Sequence, residues 1–152
     1  MKVLISACLL GHKVRWNKQD KLKENLVAWA EESGIELVPV CPENELLGTP
    51  RGKIRLAQID GQVRADYRGE DISHLLRDKC SEILGRHSGA VGFIGIHGSP
   101  TCGMGVGVKN LGTVIKGFMH QEAGIPTVES NALKNENNKE VFLRRINAVH
   151  TG

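Results

Sequence analysis

A chain of 152 residues with 40% hydrophobic content is long enough to close a hydrophobic core and too apolar to stay disordered, so it reads as one domain over 1–152. Its 20 lysines and arginines against 17 aspartates and glutamates leave a formal charge of +3, scattered along the chain, which gives no nucleic-acid footprint. The four cysteines stand at wide, irregular spacings, unlike a secreted disulfide framework; in a reducing compartment such cysteines are buried, metal-binding or catalytic.

The opening MKVLISACLLG carries one lysine and an apolar run too short to span a membrane. It is expected to form the first strand, over 3–7, of a cytoplasmic protein, with Cys8 directly after it. After a loop over 11–20, Leu22, Leu26, Trp29 and Ala30 recur at helical spacing, and Gly34 is placed to end that helix. Residues 35–40 resume a strand pattern, and Cys41, Pro42 and Glu43 follow at once. Ile54 and Leu56 then alternate with Arg55, and Asp60-Gly61 predicts a hairpin turn before 62–64, a small antiparallel excursion. Ile72, Leu75, Leu76, Cys80, Ile83 and Leu84 form the apolar stripe of a helix over 71–87, which makes Cys80 a core residue. A third strand over 91–96 runs into a glycine-rich loop containing Ser99 and Cys102. A glycine-interrupted helix over 115–123, a fourth strand over 125–128 and a C-terminal helix over 131–149 complete the pattern.

This alternation predicts an α/β, Rossmann-like three-layer fold with a mostly parallel sheet of about four or five strands and a small antiparallel hairpin excursion. In such sheets the strands end along one edge, and ligands bind in the crevice outside those ends. Cys8, Cys41 and Cys102 each follow a strand on that edge, which makes them candidates for one soft-metal centre, because thiolates select iron-sulfur clusters, zinc or copper(I). Three thiolates would leave a coordination position open to a substrate atom. The plainer alternative is three independent buried thiols, since no CxxC pair joins them. Glu43 can serve as acid or base beside such a centre, or simply start a helix with Pro42; Glu45 is the second carboxylate in reach. Ser99 can orient a proton or make an ordinary Ser-Pro turn. His12 and His97 lie near the same edge, and Arg15, Arg51 and Lys53 are cations that could hold an anionic group or face solvent. The GMGVG run over 103–107 lacks the lysine of a phosphate loop and reads as room for backbone.

Three motifs occurring in order carry a resemblance. Ser6-Ala7-Cys8-Leu9-Leu10-Gly11 with Val14-Arg15, Val38-Pro39-Val40-Cys41-Pro42-Glu43 with Pro50-Arg51, and Ser99-Pro100-Thr101-Cys102-Gly103 resemble the thiouracil desulfurase family. The resemblance implies an α/β fold carrying an oxygen-sensitive four-iron four-sulfur cluster on Cys8, Cys41 and Cys102, with Glu43 and Ser99 as the catalytic acid and serine. It further implies a non-redox enzyme whose partner is a small thiolated pyrimidine base; the base's sulfur binds the open iron, leaves as hydrosulfide, and the oxo base remains. Arg15-Trp16-Asn17-Lys18 stands where many members have Arg-Tyr-Asp-Gly, and 43–50 is less glycine-rich than usual, so the substrate could differ from thiouracil. A reading from another class is a nonenzymatic Rossmann-like module that binds a nucleotide or a zinc ion in the same crevice.

Overall fold

The computed structural model describes residues 1–12 and 23–152. In chain order it runs β1 (Lys2–Ser6), a 3-10 turn (Ala7–Leu10), α1 (Glu24–Glu32), β2 (Glu36–Val40), α2 (Pro42–Leu47), β3 (Arg55–Ile59), β4 (Gln62–Tyr67), β5 (Glu70–Asp71), α3 (Ser73–Arg86), β6 (Ala90–Gly95), β7 (Val106–Gly107), β8 (Val114–Ile115), α4 (Phe118–Glu122), β9 (Thr127–Glu129), a second 3-10 turn (Ser130–Lys134) and α5 (Glu136–Thr151). Leu22 and the segment Arg15-Trp16-Asn17-Lys18 lie outside the described residues.

The apolar runs pair as one parallel sheet in the order β2-β1-β6-β9. Its two central strands are apolar on both faces, as a sheet covered by helices on both sides requires: Val3, Leu4, Ile5, Phe93 and Ile94 are fully buried. The chain steps from β1 to β2 in one direction and then crosses to β6 on the other side of β1, so the strand order reverses between β1 and β6. Right-handed crossovers then place α1 on one face of the sheet and α3 on the other, with α4 against α3. The last helix returns to the α1 face, where Leu26 shares a groove with Leu133 and Lys139. It lies so close to β6 that a Cβ on Gly92 would stand 2.8 Å from Ile146 Cγ2.

The predicted hairpin forms over β3 and β4, with Asp60 at φ 52° and Gly61 at φ 77° in its turn, and gains β5 as a third antiparallel strand. Three expectations change. Leu75, counted in the helix stripe, is 55% exposed, because it sits at the stripe's margin. The helix expected over 115–123 is shorter: Val114–Ile115 pairs with Val106–Gly107, and α4 begins only after Gly117, whose amide is bonded to Gly103. At the C-terminus Asn135 accepts a hydrogen bond from the Asn138 amide at 3.1 Å, and this cap starts α5 several residues later than the apolar spacing suggested. Among the described residues, no helix is long and apolar enough to cross a membrane.

Candidate active site

Each of the three edge cysteines is held by a different local device. After β1 the chain curls into the 3-10 turn, closed by Gly11 at φ 87°, and Cys8 lies buried within it. After β2, Cys41 becomes the cap of α2: Pro42 takes the first helical position and the Asn44 amide donates to Cys41 Sγ at 3.4 Å. After β6, Ser99 Oγ accepts from the amides of Thr101 at 3.2 Å and Cys102 at 3.0 Å, while the Gly103 amide donates to the Ser99 carbonyl at 2.8 Å. This loop folds back onto the end of its own strand, and a Cβ on Gly95 would come within 1.8 Å of the Cys102 carbonyl oxygen. Because β2, β1 and β6 are adjacent, the three thiols line one cavity of about 230 Å³.

Glu43 and Ser99 line the same cavity. The Ser99 hydroxyl donates to Glu43 Oε2 at 3.3 Å, and Arg51 Nη2 donates to Oε1 at 3.4 Å. Arg51 also donates to the Gly48 carbonyl and to Thr49 Oγ1, both at 3.1 Å, and its side chain is only 4% exposed. A carboxylate and a guanidinium removed from water together depend on each other, since loss of either leaves an uncompensated charge. Burial pushes the Cys41 thiol up to about 11, opposed by the Asn44 amide and reinforced by Glu43. Burial likewise holds the Cys102 thiol well above its ordinary value, with Cys41 adding to the rise and the neighbouring Ser6 hydroxyl opposing it. Thiols in this state are poor nucleophiles at neutral pH, whereas a soft metal would hold them deprotonated.

The other candidates are placed elsewhere. Glu45 faces outward and bonds Arg86 at 2.8 Å, so it does not line the cavity. His97 is exposed and pairs with Glu129 at 3.1 Å, and His12 is exposed; neither lines the cavity. Arg15 lies outside the described residues. Lys53 stands exposed at the cavity's wall, and the 103–107 run enters β7 instead of opening a helix. Cys80 is fully buried on α3, as its place in the stripe implied. Among the described residues, no three of His, Cys, Asp and Glu are arranged to hold a single metal ion. The three cysteines line the cavity. Sequence reasoning missed Ser6, which faces the cavity two residues before Cys8, and the ion pair that ties Arg51 to Glu43.

The carboxyl edge of this parallel α/β sheet gathers three thiols, a carboxylate and a hydroxyl around one cavity, at the point where the strand order reverses and α/β proteins bind their ligands. The sequence matches the family model described as 2-thiouracil desulfurase over residues 3–138, and the chain belongs to that family. It is also similar to a solved structure of the [4Fe-4S]-dependent thiouracil desulfidase TudS, at a TM-score of 0.66 and 26% identity, over 88% of this chain and 93% of that one. No curated protein matches the sequence.

Proposed function

We propose that the protein converts a thiolated pyrimidine base of the thiouracil kind to its oxo form, taking up water and releasing hydrosulfide, with a [4Fe-4S] cluster held by Cys8, Cys41 and Cys102. Family membership and the similarity to TudS support the reaction and the cofactor. The observation that carries the residue assignment is the single cavity onto which three strand ends deliver three thiols, with Glu43 and Ser99 hydrogen-bonded on its wall. The donor set fits the group: the three cysteines are soft ligands, anionic when bound, and they line one cavity.

When bound, the cluster supplies a thiophilic Lewis acid through an iron that the protein does not ligate. The chain's own residues do the rest. Val40, Ile54 and Ile96 give the cavity apolar walls suited to a flat heterocycle. Arg51 engages Glu43 Oε1 and leaves Oε2, facing Ser99, for proton work. Glu43 takes a proton from the attacking water and delivers one to the ring nitrogen, and the Ser99 hydroxyl orients that transfer. The balance is water in and hydrosulfide out, with no net electrons, so no reductant is needed.

The test is anaerobic purification and reconstitution, iron and sulfide analysis, and incubation with 2-thiouracil and 4-thiouracil. The expected result is a brown protein with about four irons per chain that releases sulfide as uracil forms. A colourless, iron-free protein after reconstitution would sink the proposal, and one retained zinc per chain with no sulfide release would favour the binding module.

A further inference from the structure

We infer that His120, which no sequence motif marks, is a positioning residue that holds Cys102 in its ligating orientation. The inference rests on the three-cysteine reading above. Four successive carbonyls of the Cys102 loop accept hydrogen bonds from the segment 117–120. The Phe118 amide donates to Pro100 at 3.2 Å, the Met119 amide to Thr101 at 2.9 Å and the Gly117 amide to Gly103 at 2.7 Å. Among the described residues no backbone amide meets the Cys102 carbonyl, and there His120 Nε2 takes the place of one at 2.7 Å.

A carbonyl can only accept, so Nε2 carries the hydrogen and Nδ1 is left bare. Nδ1 is buried and has no hydrogen-bond partner among the described residues. A buried nitrogen left unsatisfied is destabilising, so an apolar side chain would fill this space better if filling it were the ring's whole task. The ring is 6% exposed and packs edge-on against Phe93 with centroids 5.0 Å apart. On the far side of the same carbonyl lies Gly95, where a Cβ would stand 1.8 Å from the Cys102 oxygen and 2.7 Å from His120 Nε2. The Cys102 carbonyl is thus gripped between a strand that has no room for a side chain and an imidazole that donates to it.

The consequence for a cluster is electrostatic. Three thiolates around an iron-sulfur core make an electron-rich site, and peptide dipoles close to it favour or disfavour its charge according to which end they present. Here the carbonyl oxygens from Pro100 to Gly103 are engaged by 117–120, while the amides of Thr101 and Cys102 turn to Ser99 Oγ on the cavity wall. Without the His120 donor, the peptide after Cys102 keeps only the Gly103 amide's bond to the Ser99 carbonyl, and its own oxygen loses the partner that fixes its orientation.

The test compares the full-length protein with H120F, which keeps an aromatic ring but no donor, H120L, which has neither, and H120Q, whose amide can donate from near the position of Nε2. Each is reconstituted anaerobically, and the readouts are iron and sulfide per chain and the rate at which a chelator bleaches the visible absorbance. H120Q should load fully and bleach within about twofold of the parent, whereas folded H120F and H120L should bleach about tenfold faster or load less, the loss expected for one buried acceptor stripped of its donor. Parent-like retention by H120F, or equal failure of H120Q and H120L, overturns the inference and leaves the cluster reading intact. If H120F does not fold, H120L against H120Q decides. Unfolding of both donorless variants makes His120 a residue of the fold and overturns the inference. A parent protein that takes up no iron removes the cluster reading itself, and the inference falls with it.

Discussion

Cys80 on α3 and Cys102 in the loop after β6 are the same residue under the same burial, 0% and 6% exposed, and burial raises both thiols above their ordinary range. Their surroundings differ. Cys80 lies in an apolar helix stripe, fully enclosed, and away from the cavity. Cys102 lies on a cavity wall with its amide and carbonyl both fixed and with Cys8, Cys41 and Glu43 on the same cavity. Neither residue type nor burial makes a site. A site forms where strands end and their loops leave space, and where backbone polar groups are tied down so that a side chain can face that space.

The sharpest way to break this comparison is to change the cysteines one at a time. Cys8→Ser, Cys41→Ser and Cys102→Ser should each abolish iron retention after anaerobic reconstitution; equal iron loss in a Cys80 variant would erase the distinction. Next in size is Glu43→Gln, which keeps an oxygen for Arg51 and should leave iron content unchanged while lowering kcat by about 10²-fold or more. Ser99→Ala should fall in the same direction by less, and unaltered turnover in both would remove the proton role. Arg51→Met leaves the Glu43 carboxylate buried without its partner and should lower stability by about 3–5 kcal/mol in chemical denaturation. The smallest effect belongs to Cys80→Ala, about 1 kcal/mol of packing with iron content intact.

The position of the three cysteines was legible because Cys8 and Cys41 directly follow an apolar run and Cys102 sits in the glycine-rich loop after another, and an apolar run ahead of a turn signal is a local pattern. Glu43 shows how two readings of one residue can both hold: it stands in the first turn of α2, as Pro42-Glu43 suits, and it also lines the cavity. Glu45 was equally eligible by composition, yet two residues along a helix turn a side chain by about 200°, which carries it to Arg86 on the outer surface. The segment 115–123 misled because its apolar residues serve two different elements, a strand pair and a short helix, on either side of Gly117. Nothing near His120 in the chain announces its bond, since its partner is a carbonyl 18 residues away.

By itself the sequence determined the alternation of strands and helices, the hairpin at Asp60-Gly61, the separation of Cys80 from the other three cysteines, and the motifs of the family. These are matters of period, turn chemistry and spacing, which neighbouring residues express without help from the rest of the chain. Only the tertiary structure decided that the strands lie in the order β2-β1-β6-β9, and this order brings Cys8, Cys41 and Cys102 to adjacent strand ends. It also decided which of two nearby glutamates faces the cavity, that Arg51 rests on Glu43, and that His120 holds the Cys102 carbonyl. Those contacts join residues far apart in sequence, and their geometry follows from how the layers pack, which no local pattern encodes.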